Sequence, residues 1–149
     1  MKKVYQTIVD SGKGNCQQAA IASLLEIELE DVPNFNLDQE NFWRILWDFM
    51  EENGYPNMEW DHPNGEREQK TTLIERLKFD GGWNDCFPAT VLSSTFKDVY
   101  HAVIINSNLK VVHDPNPNQL ALKCKPEDIV NVITKGGWDI DVEGNFNKL

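Results

Sequence analysis

The chain has 149 residues, 40% of them hydrophobic and 26% charged, with a formal charge of −10; this suits one domain, residues 1–149, with a single core and excludes a disordered segment. The acidic balance argues against a nucleic-acid partner, whose phosphates are bound by lysine and arginine, and fits a basic partner or plain solubility. Three cysteines without paired spacing offer neither a disulfide framework nor a zinc pattern, so no metal and no cofactor are expected, and the polar start and absence of a long apolar run predict a cytoplasmic chain without membrane association.

In chain order, residues 4–9 read as a short strand. Gly12 and Gly14 break it, and Asn15 is placed to cap a helix that begins at Cys16. Apolar residues lie nearly all round that helix, from Ala19 to Ile27, so it is expected to be central and buried. A second helix is predicted from Asp38 to Asn53-Gly54, with Phe42, Trp43, Leu46, Trp47, Phe49 and Met50 at helical spacing as core. Residues 55–69 are polar and turn-rich and read as a long loop bordering a cleft. A third helix is expected at 72–77, strands at 88–94, 99–105 and 110–114, a short helix at 126–133 and a last strand at 138–142. Helices first and antiparallel strands later make an α+β domain.

The chemistry lies in one early and two late positions. A glycine-bracketed loop delivers Cys16 to the first turn of a helix, where unpaired N–H groups and the positive dipole end favour thiolate over thiol. His101 and Asp114 fall on neighbouring strands. With Ser107 and Asn108 as a two-residue loop, Val103 faces Val112 and His101 faces Asp114 directly, so the carboxylate can fix the tautomer of the imidazole. His113 then points to the other face. Nucleophile, base and orienter follow in the order Cys16, His101, Asp114. Cys86 and Cys124 have no such setting and read as packing residues, and His62 as a loop histidine.

The tracts Gly14-Asn15-Cys16, His101-Ala102-Val103 and Val112-His113-Asp114-Pro115 resemble the papain-like cysteine hydrolases, especially compact C39-like peptidases and similar small bacterial and phage proteins. The resemblance runs from the N-terminus to Asn118. It implies a papain-like α+β fold in which the helix carrying the cysteine packs on an antiparallel sheet, with Cys16 as nucleophile, His101 as general base and then acid, and Asp114 as orienter. The family also places a glutamine ahead of the cysteine to hold the oxyanion. Gln6 is the upstream candidate here, with Asn15 and the backbone N–H groups of Cys16 and Gln17 as alternatives. The expected activity is hydrolysis of an amide, peptide or isopeptide bond through a thioacyl intermediate; acyl transfer by the same residues, or a papain-like binding or inhibitory protein without catalysis, are the alternatives. In the long loop, Trp60, Glu66 and Glu68 are candidate substrate-binding residues for a basic peptide or protein substrate.

Overall fold

An alanine-rich stretch with a single β-branched residue, Ile21, forms helix α1, Cys16–Leu25. In the computed structural model, which describes residues 1–9, 14–38, 40–63, 70–93 and 99–149, six of its residues from Ala19 to Leu24 are buried. The small side chains of Ala19, Ala20 and Ala22 let the helix lie close against the sheet. It ends at Glu26, whose backbone adopts the left-handed conformation at φ 58.

Helix α2, Phe42–Glu52, starts later than expected, at Asn41 rather than Asp38. Leu46 and Met50 are buried, whereas Trp43 remains 44% exposed. Strand β1, Glu59–Asp61, lies inside the segment read as a loop. Helix α3 runs Leu73–Asp80, with the Thr72 hydroxyl accepting from the Glu75 N–H and Gly81 closing it at φ 78. Strands β2, Phe87–Ser93, β3, Val99–Ile105, and β4, Val111–His113, follow where β texture predicted them.

The expected helix at 126–133 is corrected. A single 3-10 turn, Pro126–Asp128, leads into strand β5, Ile129–Thr134. Proline suits the first turn, but the β-branched run Ile129, Val130, Val132, Ile133 favours a pleated strand once neighbours exist on both sides. Those neighbours are β1 and β2, in an antiparallel sheet of order β1-β5-β2-β3-β4. A separate hairpin joins β6, Trp138–Ile140, to β7, Phe146–Lys148; the second strand escaped the sequence reading because Asn147 and Lys148 dilute its pattern.

Alternate residues of the sheet feed two cores. Ala102, Ile104 and Ile133 join α1 and α2 on one face, while Val103, Ile105 and Val132 join Leu73 and Leu77 of α3 on the other. On the α3 side, fully buried Arg76 forks onto Asp61 with bonds of 2.8 and 3.1 Å and donates to the Thr71 carbonyl at 2.8 Å. This satisfies a charge pair that burial would otherwise penalise. The architecture is mixed α+β, with helices against an antiparallel sheet. No helix among the described residues is long and apolar enough to cross a membrane.

Residues 4–9 do not form the expected strand. They run beside α1 and the end of β4 without a ladder, their backbone groups taken one by one by Ser23, Pro115 and Asn15. Near the β4 edge, among the described residues, the segment makes the single backbone bond of the Gln6 N–H to the Pro115 carbonyl, beyond the last residue of β4.

Candidate active site

The hairpin between β3 and β4 turns differently from the two-residue loop expected. Asn106 pairs with Lys110, and the connection is the three residues 107–109, with Leu109 at φ 64. Ser107 and Asn108 lack the glycine of a tight primed turn. A turn closed by a left-handed residue replaces it, and the Asn106 Oδ1 accepts from the N–H groups of Asn108 and Lys110.

The register moves accordingly. Ile105 lies opposite Val111 and Ile104 opposite His113, with a bulge between the two pairs. His101 is therefore not directly opposite Asp114. Together the longer loop and the bulge shift the register by two residues, which preserves face, and continuing it sets Asp114 beside Val103. The His101–Asp114 pair is thus diagonal across one face, where longer side chains still meet. Its hydrogen bond, His101 Nε2 to Asp114 Oδ1, is 2.5 Å.

Asp114 is fully buried and held from several sides. Its Oδ1 also accepts from the Asn116 N–H and its Oδ2 from the Ala121 N–H, each at 2.9 Å, while Gln119 Nε2 donates to its carbonyl at 2.7 Å. The sequence gives no signal for these supports, because they come from a loop whose backbone folds back on the carboxylate. Burial would raise the Asp114 pKa, but His101 and the two N–H groups outweigh it and hold the carboxyl below its ordinary value.

Cys16 reaches the same place from the helix. Strand β4 pairs with β3 only at Ile104 and Ile105, so the edge of β3 beyond them is left open. There the Ala102 N–H and the Gln17 N–H donate to the Cys16 sulfur, and the His101 side chain hydrogen-bonds to it. With Nε2 on Asp114, the nitrogen left for sulfur is Nδ1. Burial would raise the thiol pKa, but His101 and the two backbone donors outweigh it and bring Cys16 below the ordinary value. For His101, burial acts downward, and the bonds and charges of Asp114 and Cys16 overcome it, lifting the imidazole to about 9. Each of the two groups thus favours the charged form of the other, and Cys16 is half-buried.

The oxyanion candidates divide. Asn15 occupies the N-cap position without capping through its side chain. Its Oδ1 accepts from the Thr7 and Ile8 N–H groups and its Nδ2 donates to Thr7 and Gln18, so the expected cap and the oxyanion role both give way to an anchoring one. Gln6 Nε2 donates to the Ile8 carbonyl at 2.8 Å, and its buried Oε1 has no partner among the described residues. Gln17, buried beside the nucleophile, has a side-chain Nε2 without a partner in the same set. Trp60 sits on β1 with its ring against Trp43, 4.6 Å away edge-on, and Trp47, 5.0 Å away at a tilt; that placement is packing. Glu66 and Glu68, and the glycine loop at 11–13, lie outside the described residues.

Cys86 is pushed up by burial, the opposite of Cys16. A cavity of about 510 Å³ lies at the far end of α1, between Leu24, Leu25, Tyr55 and Trp83, and holds none of the three residues. Among the described residues no group of three or more His, Cys, Asp or Glu side chains is placed to hold a metal ion. Comparison with family models, with characterised proteins and with solved structures gives no match.

Proposed function

We propose that the chain is a cysteine hydrolase of papain-like type, cleaving an amide, peptide or isopeptide bond. The observation that carries this reading is the line from Asp114 through His101 to Cys16, in which the imidazole is lifted to about 9 and the thiol is brought below its ordinary value. A structural cysteine does not need an imidazole lifted to about 9 by a buried carboxylate behind it.

In this mechanism the Cys16 sulfur attacks the carbonyl carbon. A C–S bond forms while the carbonyl π pair moves to oxygen, where N–H groups of the first turn of α1 stabilise the charge. Collapse breaks the C–N bond as His101 gives its proton to the departing amine. Water then attacks the thioester, His101 takes its proton, and release of the acid restores the thiolate and imidazolium. Asp114 keeps the ring oriented throughout and stabilises its charged form.

The test is a panel of fluorogenic peptide amides together with an electrophilic peptidyl ketone probe. Wild type is expected to turn over at least one substrate and to carry the probe on Cys16 by peptide mass mapping, and Cys16→Ala to do neither. A protein that accepts iodoacetamide at Cys16 but neither cleaves nor takes up any peptidyl probe would reject the hydrolase reading in favour of a binding role.

A further inference from the structure

Residues 4–8 touch the chain at a particular set of places. The Thr7 and Ile8 N–H groups donate to Asn15 Oδ1 at 3.0 and 2.9 Å, and the Asn15 N–H returns to the Ile8 carbonyl at 3.2 Å. Asn15 is the residue before Cys16. The Gln6 N–H donates to the Pro115 carbonyl at 2.9 Å, and His113 Nε2 donates to the Val4 carbonyl at 2.7 Å. His113 and Pro115 are the residues on either side of Asp114. At its other end Val4 donates to Ser23 Oγ of α1 at 2.8 Å.

We infer that residues 4–8 are a brace that positions Cys16 against Asp114, and that His113 is the positioning residue that latches it. The inference rests on the hydrolase reading for its consequence, but its geometry is read out through the Cys16 thiolate alone. Beside the link that His101 and Ala102 of β3 make, the brace adds a second tie between the element that carries the sulfur and the one that carries the carboxylate, where β4 has already stopped pairing. The Val4 carbonyl is shared by His113 Nε2 and Ser23 Oγ, at 2.7 and 3.1 Å, and of these two donors His113 is the one that ties it to the strand leading into Asp114.

His113 is suited to latch and not to catalyse. It is fully buried, with its ring edge-on to Tyr5 at 5.1 Å, and its bond to the Val4 carbonyl places the proton on Nε2. Nδ1 is buried without a partner among the described residues, so a second proton there would be an uncompensated charge. The charged and titratable groups that bear on the ring are Lys3 and Tyr5 from the N-terminal segment and Asp114 beside it; α1 faces the brace with the uncharged Ser23. Burial is the main cause that holds the His113 pKa below 6.5, with Lys3 adding to it against the Val4 bond and Asp114. The sign follows: the neutral ring stabilises the brace in full above 6.5, and that contribution is lost as pH falls below 6.5 through the lowered folded value.

The experiment measures the pH profile of Cys16 alkylation by iodoacetamide, with hydrogen exchange at Gln6, Thr7 and Ile8, in wild type, His113→Phe and His113→Gln. Phenylalanine keeps the ring packing and loses the donor; glutamine keeps a donor near the Nε2 position and cannot titrate. His113→Phe is expected to lose exchange protection at all three amides and to move the Cys16 alkylation profile up by about one pH unit, a slowing of about tenfold on its acid limb. His113→Gln is expected to stay within about twofold of wild type and to keep its protection where wild type loses it, as pH falls through the lowered folded value of His113. A folded His113→Phe with a Cys16 profile superimposable on wild type overturns the proposal, whatever its melting temperature. If that variant does not fold, Asn15→Ala, which removes the grip at the other end, carries the same expectation and the same overturning result. Because no substrate is involved, absence of hydrolysis with a shifted profile would sink the proposed function and leave the brace standing.

Discussion

Replacing Asp114 with asparagine keeps the shape of the side chain and an acceptor for His101 Nε2 but removes the charge. His101 moves from 6.5 to about 9 in the folded chain, a rise of 9 − 6.5, or about 2.5 units. At 1.36 kcal/mol per unit this is on the order of 3 kcal/mol in favour of the charged ring, shared between Asp114 and Cys16. The His101 side chain is 13% exposed, so solvent screens little of it. Asp114→Asn is therefore expected to drop the imidazole by at least about one unit, while Cys16→Ala lowers it by a further amount when combined. Following the imidazole Cε1 proton by NMR from pH 5 to 10 measures this directly. Stability gives an independent reading with a defined sign. A raised histidine pKa contributes stability that is complete below 6.5 and lost as pH rises through about 9, and a depressed aspartate contributes above 3.8 and loses it as pH falls through its lowered folded value. The gap in urea midpoint between wild type and Asp114→Asn is then widest between 3.8 and 6.5 and closes on both sides. A wild-type His101 that titrates near 6.5, or a gap that widens with alkali, would refute the ion-pair assignment.

Three further outcomes follow from other parts of the molecule. At pH 6, iodoacetamide should modify Cys16 well before Cys86, whose thiol burial raises, and mass mapping with equal labelling of the two would remove the special status of Cys16. Arg76→Met strands the buried Asp61 carboxylate and should cost about 3–5 kcal/mol in urea unfolding, most of it recovered when Asp61→Leu is added; no recovery would mean the loss came from packing. Gly136→Ala should destabilise by roughly 2 kcal/mol or more, because Gly136 has φ +73 and a Cβ there would collide with the Asn57 carbonyl; an unchanged thermal midpoint would count against this turn geometry.

What the sequence made legible was set by local physics. Ala19 to Leu24 are apolar at every position but Ser23, so a buried α1 could be read directly, and Val99 to Ile105 have the β texture of a strand. The approach of Cys16, His101 and Asp114 was visible too, although for a register that the molecule does not use. Parity explains this: a slip of one residue would have separated His101 from Asp114, whereas the added loop residue and the bulge make two. What stayed hidden depends on partners distant in sequence. Asn15 looks like a cap until Thr7 and Ile8 claim its oxygen, and residues 4–9 look like a strand until no strand is found to pair with them. The segment after Pro126 reads as a helix because a proline in a first turn is a strong local signal, and only β1 and β2 on either side make it a strand.

The position of β5 bears on how the chain is made. It is the last strand of the main sheet to be synthesised, yet it lies inside, and β1 pairs with nothing else in that sheet. While residues up to 128 emerge from the ribosome, β2 has one bare edge and β1 has no ladder, although α1, β3 and β4 are already complete. Such an edge invites pairing with a neighbouring chain. The sheet closes only when residues 129–134 slot between strands separated from them by dozens of residues, a pairing whose loop entropy makes it slow. The same insertion that joins β1 to the molecule is thus the interval in which a nascent chain is most exposed to aggregation, and truncation anywhere before residue 129 would leave it permanently in that condition.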